Sequence, residues 1–144
     1  MSVVEVAQTV RIRAGEPHDV AACAELAYAL RETTHWGRYP KPDLRDVVTF
    51  LIGLPYVAVA ECEGDIVGLC GGRLQCHPCY PQHPYLLEEV FYVRPSFRHA
   101  TIGMQLLRAF RSWGREQGAV ALVVGRPTLY GETMRWHELG EAHA

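Results

Sequence analysis

The sequence lacks asparagine, and of its 14 basic residues only Lys41 is a lysine. We interpret this bias as genomic rather than functional. The formal net charge of -2 gives no electrostatic basis for binding DNA or RNA, which basic surfaces recognise. No run of 18 apolar residues occurs, which argues against a membrane-spanning helix. The first nine residues have no basic segment before their apolar ones, so we expect no secretory signal.

Five cysteines are present, an odd number that does not suggest a disulfide framework. With 144 residues, 49% of them hydrophobic, the chain can build one core without covalent crosslinks. We therefore expect a single domain over residues 1–144 in a reducing compartment, the cytoplasm.

Apolar periodicity predicts the element order β-α-α-β-β-β-α-β-α. The predicted strands span 8–13, 56–61, 66–74, 85–93 and 119–124, and the predicted helices span 17–31, 42–52, 101–117 and 128–139. The third helix joins two strands as a βαβ unit, so these strands should be parallel. The expected fold is mixed α/β with an otherwise mostly antiparallel sheet.

The segment 91–107 runs from a strand through a turn into a helix. A helix start offers unpaired N–H groups and a partial positive charge, which together can hold a phosphate. Arg98 and His99 add side-chain donors, and Gly103 would let a ligand approach the backbone. An ordinary strand-to-helix connection capped by Thr101 is the alternative.

The same segment resembles the signature of the GNAT (GCN5-related) N-acetyltransferases. Val93-Arg94-Pro95 is followed by Arg98-x-x-Thr101-x-Gly103, and residues 63–68 resemble the family's hairpin turn. The resemblance implies acetyl transfer from acetyl-CoA to an amine, with the two strands of the βαβ unit splayed apart. It places CoA on ten residues: Phe91, Tyr92, Val93, Arg98, His99, Ala100, Thr101, Ile102, Gly103 and Met104. Thr101 departs from the family, which has glycine there.

Acetyl transfer requires a neutral amine, so a base must remove a proton. Family members often carry a glutamate on the strand before the signature, where this chain has Glu88 and Glu89. Neighbouring strand residues face opposite sides, so at most one should face the acetyl group. Glu89 is favoured because it shares parity with Val93, unless a bulge shifts the register. The alternative is that one or both are surface carboxylates.

The acid that protonates the departing thiolate is a tyrosine in many family members. Trp136 takes its place here, and an indole N–H is a poor acid. Tyr130 could substitute, as could solvent, and a packing role for Tyr130 is the alternative.

Cys76, Cys79 and His83 have spacing compatible with zinc, but one Cys-x-x-Cys pair is a weak signal. We expect no metal here and favour a loop beside the acceptor site. In the loop 32–42, three aromatic residues are expected to border that site or to pack on the sheet: His35, Trp36 and Tyr39.

Only four residues follow Gly140, so the family's closing hairpin is expected to be missing. The strand 119–124 would then lie at an open edge. The two explanations are that a second copy of the chain covers this edge as a homodimer, or that the chain is truncated. The function expected is N-acetylation of a small-molecule or peptide amine. The alternatives are a non-catalytic acyl-CoA-binding module and a small zinc-binding interaction protein.

Overall fold

The computed structural model describes residues 9–98, 101–128 and 131–140, with the backbone alone for 126–128 and 131–134. The strands are β1 (Val10–Ala14), β2 (Tyr56–Cys62), β3 (Asp65–Gln75), β4 (Tyr85–Val93), β5 (Ala121–Thr128) and β6 (Gly131–Glu138). The helices are α1 (Val20–Glu32), α2 (Leu44–Gly53) and α3 (Ile102–Glu116). Except for the last helix, the predicted elements are confirmed, with ends that differ by a few residues.

One sheet runs in the order β1-β2-β3-β4-β5-β6. The pair β4 and β5 is parallel and joined through α3, whereas every other neighbouring pair is antiparallel. Glu63 and Gly64 form the β2–β3 turn with φ of 51° and 87°. Positive φ at both central residues of a two-residue loop matches the right-handed twist of a hairpin. The mixed α/β fold predicted from the sequence is confirmed.

Helices cover both faces of the sheet, and each face has its own core. Under α3 the core includes Cys70, Leu86, Leu106 and Phe110. Under α1 and α2 it includes Leu26, Leu51, Val59, Leu69 and Val90. Alternate residues of one strand supply the two cores, as Leu69 and Cys70 do, because successive strand side chains point to opposite faces.

Gly114 is required by the packing of α3 on the sheet. A Cβ at this position would lie 2.1 Å from Cδ1 of Leu86, far inside van der Waals contact. The missing side chain lets α3 approach β4 closely. In the part of the chain that the structure describes, no helix has both the length and the apolar character needed to cross a bilayer.

The predicted helix over 128–139 is wrong, because this segment forms β6 and pairs with β5 from Ala121↔Glu138 to Thr128↔Gly131. The strand 119–124 is therefore not the edge of the sheet, because β6 pairs with β5 as an antiparallel hairpin. The argument for a covering second chain at β5 falls with it. Among the strands that the structure describes, β6 is the edge strand on this side of the sheet.

Candidate functional site

The strands β4 and β5 pair over only three positions, from Tyr85↔Ala121 to Leu87↔Val123, and then separate. A cleft of about 930 Å³ lies where they part, and we call it the central cleft. It is lined by residues 87–91 of β4, by Val124 and Gly125 of β5, by Leu107 of α3, and by side chains of α1, α2 and their connection. The predicted splaying of these strands is confirmed.

A β-bulge places two carboxylates at the central cleft. Gly71 pairs with Val90 and Gly72 pairs with Glu88, so the backbone of Glu89 is left out of the β3–β4 register. Both Glu88 and Glu89 line the cleft, although uninterrupted alternation predicts that only one faces it. A bulge turns the extra residue out of the ladder and re-aims its side chain.

The side chains of Glu88 and Glu89 interact with residues on opposite faces of the sheet. Arg73 Nε donates to Glu89 Oε2 at 2.7 Å, and strand alternation puts Arg73 on the face covered by α1 and α2. On the α3 face, burial and the charge of Glu88 raise the pKa of the Cys70 thiol well above its usual value. Glu89 therefore belongs to the face that carries the α1–α2 connection.

Arg73 is a site residue that the sequence argument missed. It lies 16 positions from Glu89, and the register that joins them passes through the bulge. The sequence feature that could have indicated this contact is the pair Gly71-Gly72, since glycines within a strand often mark a bulge.

The connection between α1 and α2 forms one wall of the central cleft. Trp36 and Tyr39 line it and are 54% and 58% exposed, so these two rings lie at the cleft rather than in a core. Arg31 holds the connection in place, because its guanidinium donates to the carbonyl of Tyr39. The ring centroids of His35 and Trp36 lie 4.6 Å apart, and His35 is not among the lining residues.

Gly103, at the start of α3, lies next to Phe91, a residue that lines the central cleft. A Cβ there would lie 3.5 Å from Cζ of Phe91, which is ordinary van der Waals contact. The fold therefore does not require glycine at 103, in contrast to Gly114. Glycine in a helix costs about 0.5–1 kcal/mol relative to alanine, so its presence without a packing reason fits a ligand that approaches the backbone.

Thr101 and Arg98 flank this helix start. Thr101 is the residue before α3, but its side chain makes no capping bond to the backbone. Its hydroxyl accepts a hydrogen bond from Gln105 Nε2 at 2.8 Å and keeps its own hydrogen to donate. Arg98 Nε donates to the carbonyl of Val93 at 2.8 Å, and its guanidinium lies over the Tyr92 ring at 5.1 Å. The remaining guanidinium nitrogens extend from this anchored position.

The other predicted cofactor-binding residues differ in what they can offer. Tyr92, Val93 and Ile102 are at most 9% exposed, so their side chains belong to the cores and only their backbone can meet a ligand. Met104 is 67% exposed. Phe91 lines the central cleft. His99 and Ala100 lie outside the described residues.

The candidate acid Tyr130 lies outside the described residues. Trp136 lies on β6, where its ring contacts Tyr85 at 5.4 Å and its Nε1 donates to Glu138. It lines a second cavity of about 550 Å³ under the loop 76–84, which we call the aromatic cavity. The suggested equivalence of Trp136 to the family tyrosine assumed a helix that is absent.

The cysteine–histidine loop forms a wall of the aromatic cavity. His77 Nδ1 accepts from the Cys79 N–H at 3.0 Å, and Cys76 Sγ contacts the Pro81 carbonyl at 3.6 Å. Within residues 9–98, 101–128 and 131–140, no three His, Cys, Asp or Glu side chains are grouped to hold a metal ion. The zinc-binding alternative thus gains no support.

Comparison with known proteins shows which family and which solved structures the chain is similar to. The chain matches the model of the acetyltransferase (GNAT) family over residues 23–130. It is similar to a GNAT family acetyltransferase from Brucella melitensis in complex with acetyl-CoA, at 17% identity over 94% of this chain and 92% of that one, with a TM-score of 0.67. It is also similar to an acetyltransferase from Trypanosoma brucei, at 19% identity over 85% of each chain, with a TM-score of 0.63.

An aminoglycoside N-acetyltransferase, AAC(6')-Iy, solved with CoA, is similar at 16% identity over 89% of this chain and 83% of that one, with a TM-score of 0.68. At these identities the structural likeness shows a shared fold. No curated protein matches the sequence.

Proposed function

The chain belongs to the GNAT acetyltransferase family, and from that premise we propose that it transfers the acetyl group of acetyl-CoA directly to a primary amine. The observation that supports this most is the juxtaposition of two features at one cleft. The separation of β4 from β5 leaves room for an extended ligand beside Glu88 and Glu89. The start of α3, with its glycine at 103, packs next to Phe91, which lines the same cleft.

The residues at the start of α3 fit a diphosphate. Backbone N–H groups of the first helical turn have no intrahelical acceptor, and the helix dipole favours an anion there. In the proposal, the amides of Ile102, Gly103 and Met104 hold the diphosphate of CoA, and the hydroxyl of Thr101 and the guanidinium of Arg98 donate from either side. The pantetheine arm follows the backbone of residues 91–93.

Glu89 is the proposed base. Its Oε2 accepts from Arg73, which leaves the second carboxylate oxygen to accept a proton from the ammonium, directly or through one water. The neutral nitrogen then attacks the thioester carbon, and the C–N bond forms as the C–S bond breaks and the sulfur leaves as thiolate. The nitrogen loses its second proton to solvent, which gives the neutral amide. Glu88, on the face covered by α3, is the second candidate.

Protonation of the thiolate is assigned to solvent in this proposal. Trp136 donates its N–H to Glu138 and lies at the aromatic cavity rather than at the central cleft. A CoA thiolate is a stable leaving group near neutral pH, because thiols titrate near pH 8.5. The reaction therefore does not require an acid supplied by the protein.

Release of free CoA thiol from acetyl-CoA, followed with a panel of primary amines, tests the proposal. We expect amine-dependent thiol release that Glu89→Gln reduces by about 100-fold while the affinity for acetyl-CoA is kept. Binding of acetyl-CoA without thiol release for any amine would contradict the proposal and favour the non-catalytic acyl-CoA-binding module.

A further inference from the structure

The aromatic cavity lies beside the central cleft, on the same face of the sheet as Glu89. Leu86 belongs to the core under α3, so its neighbours Tyr85 and Leu87 face the other side, where the cavity opens. Leu87 lines both the aromatic cavity and the central cleft. A molecule that enters from the central cleft past Leu87 therefore meets the aromatic cavity next.

Ring-bearing side chains dominate the wall of the aromatic cavity: His77, Tyr80, His83, Tyr85 and Trp136. Tyr80 and Trp136 are 62% and 53% exposed, although burying such rings is favourable. Exposed aromatic groups clustered in a concave site are typical of surfaces that bind an apolar group.

Three of these rings have a polar atom that bonds to a neighbour. Tyr85 donates its hydroxyl to Gln75 Oε1 at 3.2 Å, and Trp136 donates Nε1 to Glu138 at 2.9 Å. His77 Nδ1 accepts from the backbone of Cys79. Tyr85 and Trp136 therefore offer mainly their ring faces to a bound molecule.

No lining residue of the aromatic cavity, among those the structure describes, is Asp, Glu, Lys or Arg. A polycationic group would lose its hydration there and meet no carboxylate in return. A flat apolar ring would lose little and would gain offset or edge-to-face contacts with the wall.

We propose that the acceptor is a primary amine joined to an aromatic ring by a short aliphatic link, with its ring in the aromatic cavity and its nitrogen beside Glu89. This inference rests on the proposed function, because it names the substrate class of the same site. The cavity volume of about 550 Å³ leaves room for one or two fused rings.

Steady-state kinetics with matched amines tests the inference. With saturating acetyl-CoA, we expect kcat/KM for 2-phenylethylamine to exceed that for propylamine by about tenfold or more, and the aminoglycoside kanamycin to be a poor acceptor. Tyr80→Ala should raise KM for 2-phenylethylamine about tenfold and leave KM for propylamine and acetyl-CoA unchanged. Ile52→Ala, which removes an equally exposed side chain outside both cavities, should change none of these constants.

The outcomes separate the two proposals. Equal kcat/KM for 2-phenylethylamine and propylamine, or a preference for kanamycin, would overturn the aromatic acceptor and leave acetyl transfer intact. Failure of every amine would overturn acetyl transfer. In that case, calorimetry of 2-phenylethylamine with CoA-saturated protein still tests whether the aromatic cavity binds the ring. Binding that Tyr80→Ala weakens supports the ring site, and its absence in the native chain refutes it.

Discussion

Arg73 Nε donates to Oε2 of Glu89 at 2.7 Å, and this pair links β3 to the bulge of β4. The carboxylate is half-buried, so the arginine restricts its rotamers at the edge of the central cleft. A base that is held in one orientation lies ready for the amine, whereas a mobile one must be ordered in each turnover.

Removing the positioning arginine should lower turnover without affecting cofactor binding. For Arg73→Met we expect kcat to fall about tenfold, with the Kd for CoA unchanged, because Arg73 holds Glu89 and lies outside the lining of the cleft. Arg73→Lys, which keeps the charge, should recover part of the loss. If kcat of Arg73→Met equals that of the native chain, the pair has no positioning role.

The two carboxylates can be distinguished by isosteric substitution. Glu89→Gln should reduce kcat by about 100-fold, and Glu88→Gln should reduce it by much less, because Glu88 acts on the face that α3 covers. Both variants should keep the native unfolding midpoint within a few degrees. A larger effect in Glu88→Gln would move the base to the α3 face of the sheet.

Two glycines of α3 form a matched pair for the cofactor site. Gly103→Ala places a Cβ in ordinary contact with Phe91, so we expect unchanged or slightly higher stability and CoA affinity weakened about tenfold. Gly114→Ala drives a Cβ into Leu86 and should destabilise the chain by about 1–3 kcal/mol, while the folded fraction binds CoA normally. Denaturant unfolding and calorimetry measure both. Unaltered CoA affinity in Gly103→Ala would remove the diphosphate from this helix start.

A buried ion pair beyond the cleft sets a pH dependence of stability. Asp19 accepts from Arg13 Nη1 at 2.7 Å and Nη2 at 2.9 Å, and from the Glu16 N–H at 2.7 Å. The hydrogen bonds from Arg13, with that from Glu16, lower the pKa of Asp19 from 3.8 to about 2. A lowered pKa stabilises the folded state above the unfolded value, and this contribution disappears as the pH falls through the folded value.

The unfolding free energies of Asp19→Asn and of the native chain should therefore approach each other in acid. We expect a difference in unfolding free energy at pH 6 that is at least ~2 kcal/mol larger than at pH 2, measured with denaturant. Glu16→Gln, which alters an exposed carboxylate, is the control and should show a much smaller pH effect. A difference that does not vary between pH 6 and pH 2 would contradict the role of the Arg13–Asp19 pair.

The cysteines should fall into two reactivity classes. Cys76 and Cys79 are exposed, whereas Cys23, Cys62 and Cys70 are buried. Burial raises the pKa of Cys23 to about 11, so its thiolate is scarce at neutral pH. A disulfide reagent should titrate two thiols quickly in the native chain and five after unfolding. Rapid reaction of a third thiol would contradict the buried placement.

Local periodicity was enough to predict α3, whose residues Ile102, Leu106 and Phe110 repeat every four positions and are all buried. It failed for residues 131–138, because Trp136 and Leu139 satisfy a helical spacing equally well. The strand β6 exists through its pairing with β5, and such long-range pairing leaves no local periodicity that excludes a helix.

The site was predictable only in part for the same reason. The start of α3 and the carboxylates of β4 are local sequence features, and of the residues indicated there Glu88, Glu89 and Phe91 line the central cleft. The parity argument for Glu89 assumed an uninterrupted strand, whereas the bulge brings both Glu88 and Glu89 to the cleft. Arg73 enters the site only through a cross-strand register.

Hydrogen exchange of the backbone amides with and without CoA tests the central claim most directly. If the start of α3 holds the diphosphate and the separated edge of β4 holds the pantetheine arm, CoA should slow exchange at residues 102–104 and 91–93. Amides of β1 and β2, which lie toward the opposite edge of the sheet from β5 and β6, should exchange at unchanged rates. Protection confined to other elements, or none at all with CoA in excess, would contradict the account.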